Sequence, residues 1–443
     1  MSGLNILVVG ASIAGPMTAY WLTRAGAASV TVIERFPSLR TGGQNVDIRL
    51  SGVSVMRKIP GFEATVREHL APLTGLGFVR ADGTPIATMT QTGDAENQSL
   101  VSEYEIFRGD LSRLLYDLTK DHPRVKYIFG EQVSKIEQPD LDTDMITEQD
   151  ITGQEHASSS KKVRVTFANG TEPASYDLVV ACDGATSRTR ALGLGCGVRD
   201  HILPVGAWCA YFDTRSDLLN GSTIGVGYSA PGGRALTIGP KNKGSNIAVS
   251  MNSAPSGDHP DMLAFRAASA AGPDAVKRLV AERCAGMGWR AEELMAEMQA
   301  AGEQSFYASE WCQVKVPSLH RGGFVLAGDA GHAAGPTGAG TSLAMTAGYI
   351  LAGELLRHKG DIGAGLRAYE DRIQPLVKDG QVIPPGVLSF MTPQTQWGIW
   401  VRDQIFKAVC FGMQYSWAFS WLSAWSPSFG KDKSELPNYE WVE

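Results

Sequence analysis

The sequence predicts an α/β fold, α+β overall: a domain of parallel βαβ type, interleaved with an antiparallel block and closed by a C-terminal helix. Three observations predict it. The opening 34 residues read strand, helix, strand, which is a compact βαβ unit. Residues 205–253 hold several strand-like runs separated by Gly, Pro and Asn clusters, the pattern of an antiparallel sheet. After residue 300 the α/β character returns, with GFVLA at 323–327 and a long helical pattern to about 357. At 443 residues the chain exceeds what one core usually supports, so two domains are expected.

The elements follow in order. LNILVV at 4–9 is a short apolar run of strand type. Residues 15–26 have helical apolar spacing and stop at Gly26, a good C-cap. SVTVI at 29–33 is β-branched, so it reads as a strand parallel to the first. EIFRGDLSRLLYDLTK at 105–120 reads as an amphipathic helix. Residues 138–162 are polar and aperiodic and read as an exposed loop. VRVTF at 163–167 and YDLVVAC at 176–182 are strands, and 274–301 is helical. The stretch 397–425 carries five tryptophans and is apolar all round, so it is buried or touches lipid. The expected division is discontinuous. Residues 1–75, 100–190 and 305–380 form the α/β domain, 76–99 and 191–304 the antiparallel domain, and 381–443 a C-terminal helical segment.

The bulk composition excludes several classes. A net charge of -6 is wrong for a nucleic-acid partner. The six cysteines contain no C-x-x-C pair and do not cluster with histidines, which predicts no metal site and fits a reducing, cytoplasmic compartment. MSGLNILVVG enters a strand pattern at once, which predicts no signal peptide. The apolar run 408–422 is 15 residues, too short for a transmembrane span of ~20.

Three motifs carry chemistry. GASIAG, 10–15, sits between the first strand and its helix. Gly10 makes the tight turn and Gly15 lets helix and strand pack closely; Ser12 stands where a second glycine would admit a pyrophosphate, with Ile13 and Ala14 leading into the helix. The helix start offers free amides to phosphate. Glu34 ends the second strand, nineteen residues past Gly15, where an acid bonds ribose hydroxyls and repels a 2′-phosphate. This makes the domain Rossmann-like and favours FAD or NAD over NADP as the resident nucleotide. GDAGHAAGPTGAG, 328–340, puts Asp329 at a strand end and runs through Pro336, Gly338 and Gly340 into Thr341 and a helix. An NAD fold has no such element 300 residues downstream, so FAD is favoured. YDLVVACDGATSRTR, 176–190, is a strand ending in Asp183-Gly184; alone it would be an ordinary turn.

Together these motifs resemble the class A FAD-dependent aromatic monooxygenases, in particular the tetracycline-inactivating flavin monooxygenases. The resemblance covers residues 4 to about 390. Ser12, Ser342 and Ala347 depart from the family pattern. LRTGGQNVDIRLSG, 39–52, resembles the segment near the flavin ribityl chain and ring, implying roles for Arg40, Gly43 and Asp47. Arg35 falls beside Glu34 in the same cofactor set. IFRGDL, 106–111, resembles the arginine-bearing helix start, with Arg108 reaching FAD phosphates. Taken alone, Arg49 and Arg108 would be read as surface salt bridges.

The resemblance implies tightly bound, non-covalent FAD, NAD(P)H as a visiting reductant, O2, and oxygen transfer through a C4a-hydroperoxyflavin. The helix starting near Gly340 would stabilise reduced flavin. No catalytic side chain is implied, and His332 reads as structural. The substrate is a small aromatic or polycyclic molecule of secondary metabolism, hydroxylated in the first instance. Epoxidase, Baeyer–Villiger, oxidase and dehydrogenase chemistry on the same fold are the alternatives. Trp208, Tyr211, Tyr228, Arg234, Met251 and Met391 come from segments suited to a substrate pocket. The 397–425 segment is expected to pack across both domains, with interfacial membrane or homodimer contact as alternatives.

Overall fold

The computed structural model describes residues 1, 3–40, 42–95, 98–138, 162–252, 259–302, 305–414 and 436–442. The polar stretch 139–161 and the tryptophan-rich residues 415–435 lie outside them.

Strand Asn5–Val9, helix Ala14–Arg24 and strand Ser29–Glu34 form the expected βαβ unit, with Asn5 opposite Ser29 in parallel register. Leu178–Ala181 flanks the first strand on its other side and Phe324–Leu326 follows it, both parallel. Val125–Phe129 joins beyond Ser29–Glu34 and His320–Arg321 closes the far edge, giving six strands. Three distant chain segments therefore build one sheet. Its strands are buried on both faces, as parallel strands covered by helices are. Helices Ala14–Arg24 and Gly340–Arg357 pack against each other over it.

A second sheet has seven strands. Its spatial order is Phe306–Val314, Ile202–Thr214, Ser245–Asn252, Arg234–Pro240, Ile224–Ala230, Gly75–Val79 and Pro85–Thr90. Only the pairing of Ile224–Ala230 with Gly75–Val79 is parallel. Helices Pro260–Ala271, Pro273–Cys284 and Ala291–Ala300 cover one face and share a separate core with it. Phe306–Val314 is bonded into this sheet, although its residues were expected with the α/β segments.

Two local expectations differ. Residues 105–107 are a strand paired with Asn45–Asp47, and the helix begins only at Arg108. The C-terminal helix Gln396–Gln414 lies on the second sheet through Ile399, Arg402 and Phe406 and leaves Trp397, Trp400 and Phe411 exposed. It is not buried all round. The contact with the α/β core comes instead from residues 436–442: Trp441 packs on Trp21 and Tyr349, and Val442 donates its N–H to the Arg24 carbonyl.

Candidate FAD and substrate site

Gly10 has φ +107°, and a side chain there would lie 2.6 Å from the Cys182 carbonyl oxygen. A side chain on Gly15 would lie 1.8 Å from the Gly10 oxygen. Both positions therefore demand glycine. Ile13 and Ala14 are buried, with Ala14 directly under Gly328. The helix that follows has no side-chain cap and no acid in its first turn, so its amides and positive end remain for an anion.

Ser12 is explained by its partner. Its Oγ accepts from both Nε and Nη2 of Arg108, each at 3.3 Å. Arg108 also packs against Gly43, which has φ +139° and where a side chain would begin 3.3 Å from the Arg108 Cβ. Glu34 accepts from the Ala11 and Phe36 amides, fixing its carboxylate beside the glycine turn. Arg35 and Arg40 both lie over the Phe36 ring, and Arg40 also over Tyr307 of the second sheet. Enclosure, and then the Arg108 charge nearby, lower the pKa of the Arg40 guanidinium. Two crowded cations at a glycine turn suit a diphosphate.

Asp329 ends the Phe324–Leu326 connection beside the start of helix Gly340–Arg357; its Oδ1 is 3.8 Å from where a Gly340 side chain would begin. Its carboxylate faces solvent while protein surrounds it on most sides, as at the floor of a cleft. That enclosure raises its pKa, and the Arg108 charge opposes the rise. Pro336, Gly338, Gly340 and Thr341 form a half-open turn, with Gly338 at φ +77° against Asp47. The helix they enter is uncapped, with no acid in its first turn. Ser342, a departure from the family pattern, accepts the Arg49 N–H at 2.9 Å and packs on Gly52, locking the 47–52 segment to this helix.

Asp183 lies beside the glycine turn, its Cα 3.1 Å from where a Gly10 side chain would begin. Its oxygens accept from Ser187 and Thr189, and Arg190 ties the motif to the Ala330 carbonyl. His332 is buried with neither ring nitrogen bonded among the described residues, and burial pushes its pKa down to about 4. It is neutral at pH 7.

The second sheet separates the expected substrate residues. Trp208 stacks on Phe265, Tyr228 donates to the Met287 carbonyl, and Arg234 donates to the carbonyls of Arg283 and Ala285. All three stand on the helix-covered face, in one layer with Phe212, Leu236 and Val249. The sequence reading could not tell the two faces apart, because alternation fixes only that neighbours diverge. Met251 is the cross-strand partner of both Trp208 and Arg234. Met391 is exposed at the end of a short helix. Of these residues, Tyr211 turns to the other face, where it stacks with Tyr307.

That open face has a distinct profile. One cross-strand row runs Tyr307, Tyr211, Ala248, Thr237, Gly227, Phe78. In the next register row stand Cys209, Ala235 and Ser229. Aromatic side chains stand at both ends and nothing larger than threonine between them. Ala235, Thr237 and Ala248 remain half-buried in mid-sheet. At ~4.8 Å per strand, about 19 Å separates the strands of Tyr211 and Phe78. The α/β loops meet this same face: Arg40 lies over Tyr307, and Gly335 lies against Gln313. Arg402 roofs the far end, over Phe78 and bonded to Ser229.

Known proteins agree with this architecture. The family model described as FAD binding domain matches residues 4–379. The chain is 31% identical to the flavin-dependent monooxygenase eupH of Phoma sp, covering 99% of this chain and 98% of that protein. It is 30% identical to the FAD-dependent monooxygenase asL4 of Sarocladium schorii, covering 95% and 96%. Among solved structures, tetracycline destructase Tet(55) superposes with a TM-score of 0.73 at 25% identity, over 99% of this chain and all of that one. Glycine turns that a side chain would fill, uncapped helix starts and paired arginines all fit FAD, the cofactor of this group, and the chain belongs to the FAD-dependent monooxygenases of the class A flavin type.

Proposed function

We propose that this enzyme uses NAD(P)H and O2 to hydroxylate a flat, multi-ring aromatic molecule held on the open face of the antiparallel sheet. The observation that carries the reading is the face itself: the row Ala248, Thr237, Gly227 of small side chains between Tyr211 and Phe78. A broad sheet face of small side chains with few polar groups suits fused rings.

FAD, when bound and reduced, supplies the oxygen-activating chemistry. The chain's own residues bind, orient and keep the site dry. Arg108, Ser12 and Arg40 hold the diphosphate, Glu34 the adenosine ribose and Asp329 the ribityl chain. The start of the Gly340 helix gives positive potential to the ring end. Tyr211 stays a neutral hydrogen-bonding phenol, because burial raises its pKa well above the ordinary value. The roof of Phe406 and Arg402 limits water at the far end.

The test is turnover under ¹⁸O-labelled O2 with NADPH or NADH and a panel of polycyclic phenols. One labelled oxygen in the product, and one NAD(P)H consumed per product, is expected. Product without label, or hydrogen peroxide as the sole oxygen product with every compound, would contradict the proposal.

A further inference from the structure

Behind the turn Pro336–Gly340, two carboxyl groups face each other. Asp47 and Glu105 are direct partners on antiparallel strands, which puts their carboxyl groups side by side on one face of the ladder. Two carboxylates on directly opposed cross-strand positions repel, and a proton on one of them relieves the repulsion and lets the pair hydrogen-bond. Glu105 is the inner member, 7% exposed; among the described residues its carboxylate accepts a long contact from the Ser102 N–H at 3.5 Å. Asp47 is the outer member. Its Oδ2 accepts from Arg49 Nε at 2.9 Å and lies 3.5 Å from where a Gly338 side chain would begin.

Arg49 cannot neutralise both acids. Its remaining nitrogens donate to the Ser99 and Leu100 carbonyls, which fixes it on the Asp47 side. Glu63 and Arg67, on the helix beside this strand, are taken up with Tyr104. The charged groups bearing on Glu105 are therefore Asp47 and Arg49. Burial pushes its carboxyl pKa well up, and the Asp47 charge adds to the rise.

We propose that Asp47 and Glu105 share one proton at the ring end of the FAD site and that this proton tunes the reduction of the cofactor. The inference rests on FAD seating its ring against Gly338 and the Gly340 helix start. With the proton in place, the two acids and Arg49 sum to zero charge. Without it they sum to -1. Electrons added to FAD bring negative charge next to Asp47. The neutral trio tolerates that charge and the anionic trio opposes it. Asp47 and Glu105 are thus positioning residues for charge; neither forms a bond to substrate.

The experiment is potentiometric titration of protein-bound FAD from mildly acid to alkaline pH. The wild type should show a break, with the midpoint potential falling more steeply once the pair loses its proton. Glu105→Gln keeps the inner side chain neutral and should remove the break, staying on the extension of the acid limb. Asp47→Asn should remove it too. Infrared spectroscopy of the FAD-free protein gives an independent readout: a protonated-carboxyl C=O band at neutral pH that Glu105→Gln abolishes. Superimposable potential curves for wild type and Glu105→Gln, with FAD retained, would overturn the shared proton. A wild-type protein that retains no FAD would overturn the seating on which it rests.

Discussion

Ser12 shows how much one residue conceals. In the sequence it is an imperfect tooth in a glycine motif. In the structure it is the anchor for Arg108, whose guanidinium would otherwise be free to swing. Replacing Arg108 by alanine removes a charged partner of the diphosphate and should weaken FAD retention about 10- to 100-fold, read by flavin fluorescence on dilution. Ser12→Gly should cost less, about threefold, since Arg108 remains. Gly15→Ala should abolish FAD uptake, because its Cβ has no room beside the Gly10 oxygen. The glycine turn was legible because backbone geometry at Gly10 and Gly15 admits few residue types. Glu105 was not. Its neighbours have helical spacing, and only the ladder to Asn45–Asp47 reveals it as a strand residue facing Asp47.

At the level of elements, the antiparallel sheet divides its work by face. Trp208 belongs to the helix-covered side, so Trp208→Ala should cost about 3–5 kcal/mol of stability and leave the flavin spectrum of the folded protein unchanged. Thr237→Phe acts on the other side. It would fill the middle of the small-residue row, leave FAD bound, and abolish the acceleration of flavin reduction by a bulky substrate. Stopped-flow reduction with and without that substrate separates the two effects. The existence of these strands was readable from their alternation and turns. Their facing was not, because it depends on which layer of helices arrives, and helix Pro260–Ala271 gave no clear sequence signal.

The whole molecule is held by contacts between distant parts of the chain. Three of its segments make the six-stranded sheet, and the last described residues return to it. Tyr439 donates to buried Glu354, which Arg372 also pairs, and Trp441 completes a ring cluster with Trp21. Stability should depend on acid for a different reason. Burial alone would raise the pKa of Glu131, but bonds from Thr171, Gln132 and Asn169 hold it at about 2. A carboxyl depressed in the folded state adds stability above its unfolded pKa, and that stability is lost as pH falls toward 2. Glu131→Gln should therefore lower stability by about 3 kcal/mol at neutral pH and flatten the acid limb of the denaturation profile. Glu105 works in the opposite sense: its raised pKa costs stability as pH climbs past its unfolded value.

The measurement that tests the central claim most directly is anaerobic reduction of the purified, FAD-loaded protein by NADPH and by NADH, with and without polycyclic phenols. The account predicts a yellow protein whose flavin absorbance bleaches with a reduced nicotinamide, and bleaches faster with a compound that fits between Tyr211 and Phe78. A protein that takes up no FAD, or whose bound FAD neither nucleotide reduces with any compound present, would contradict it.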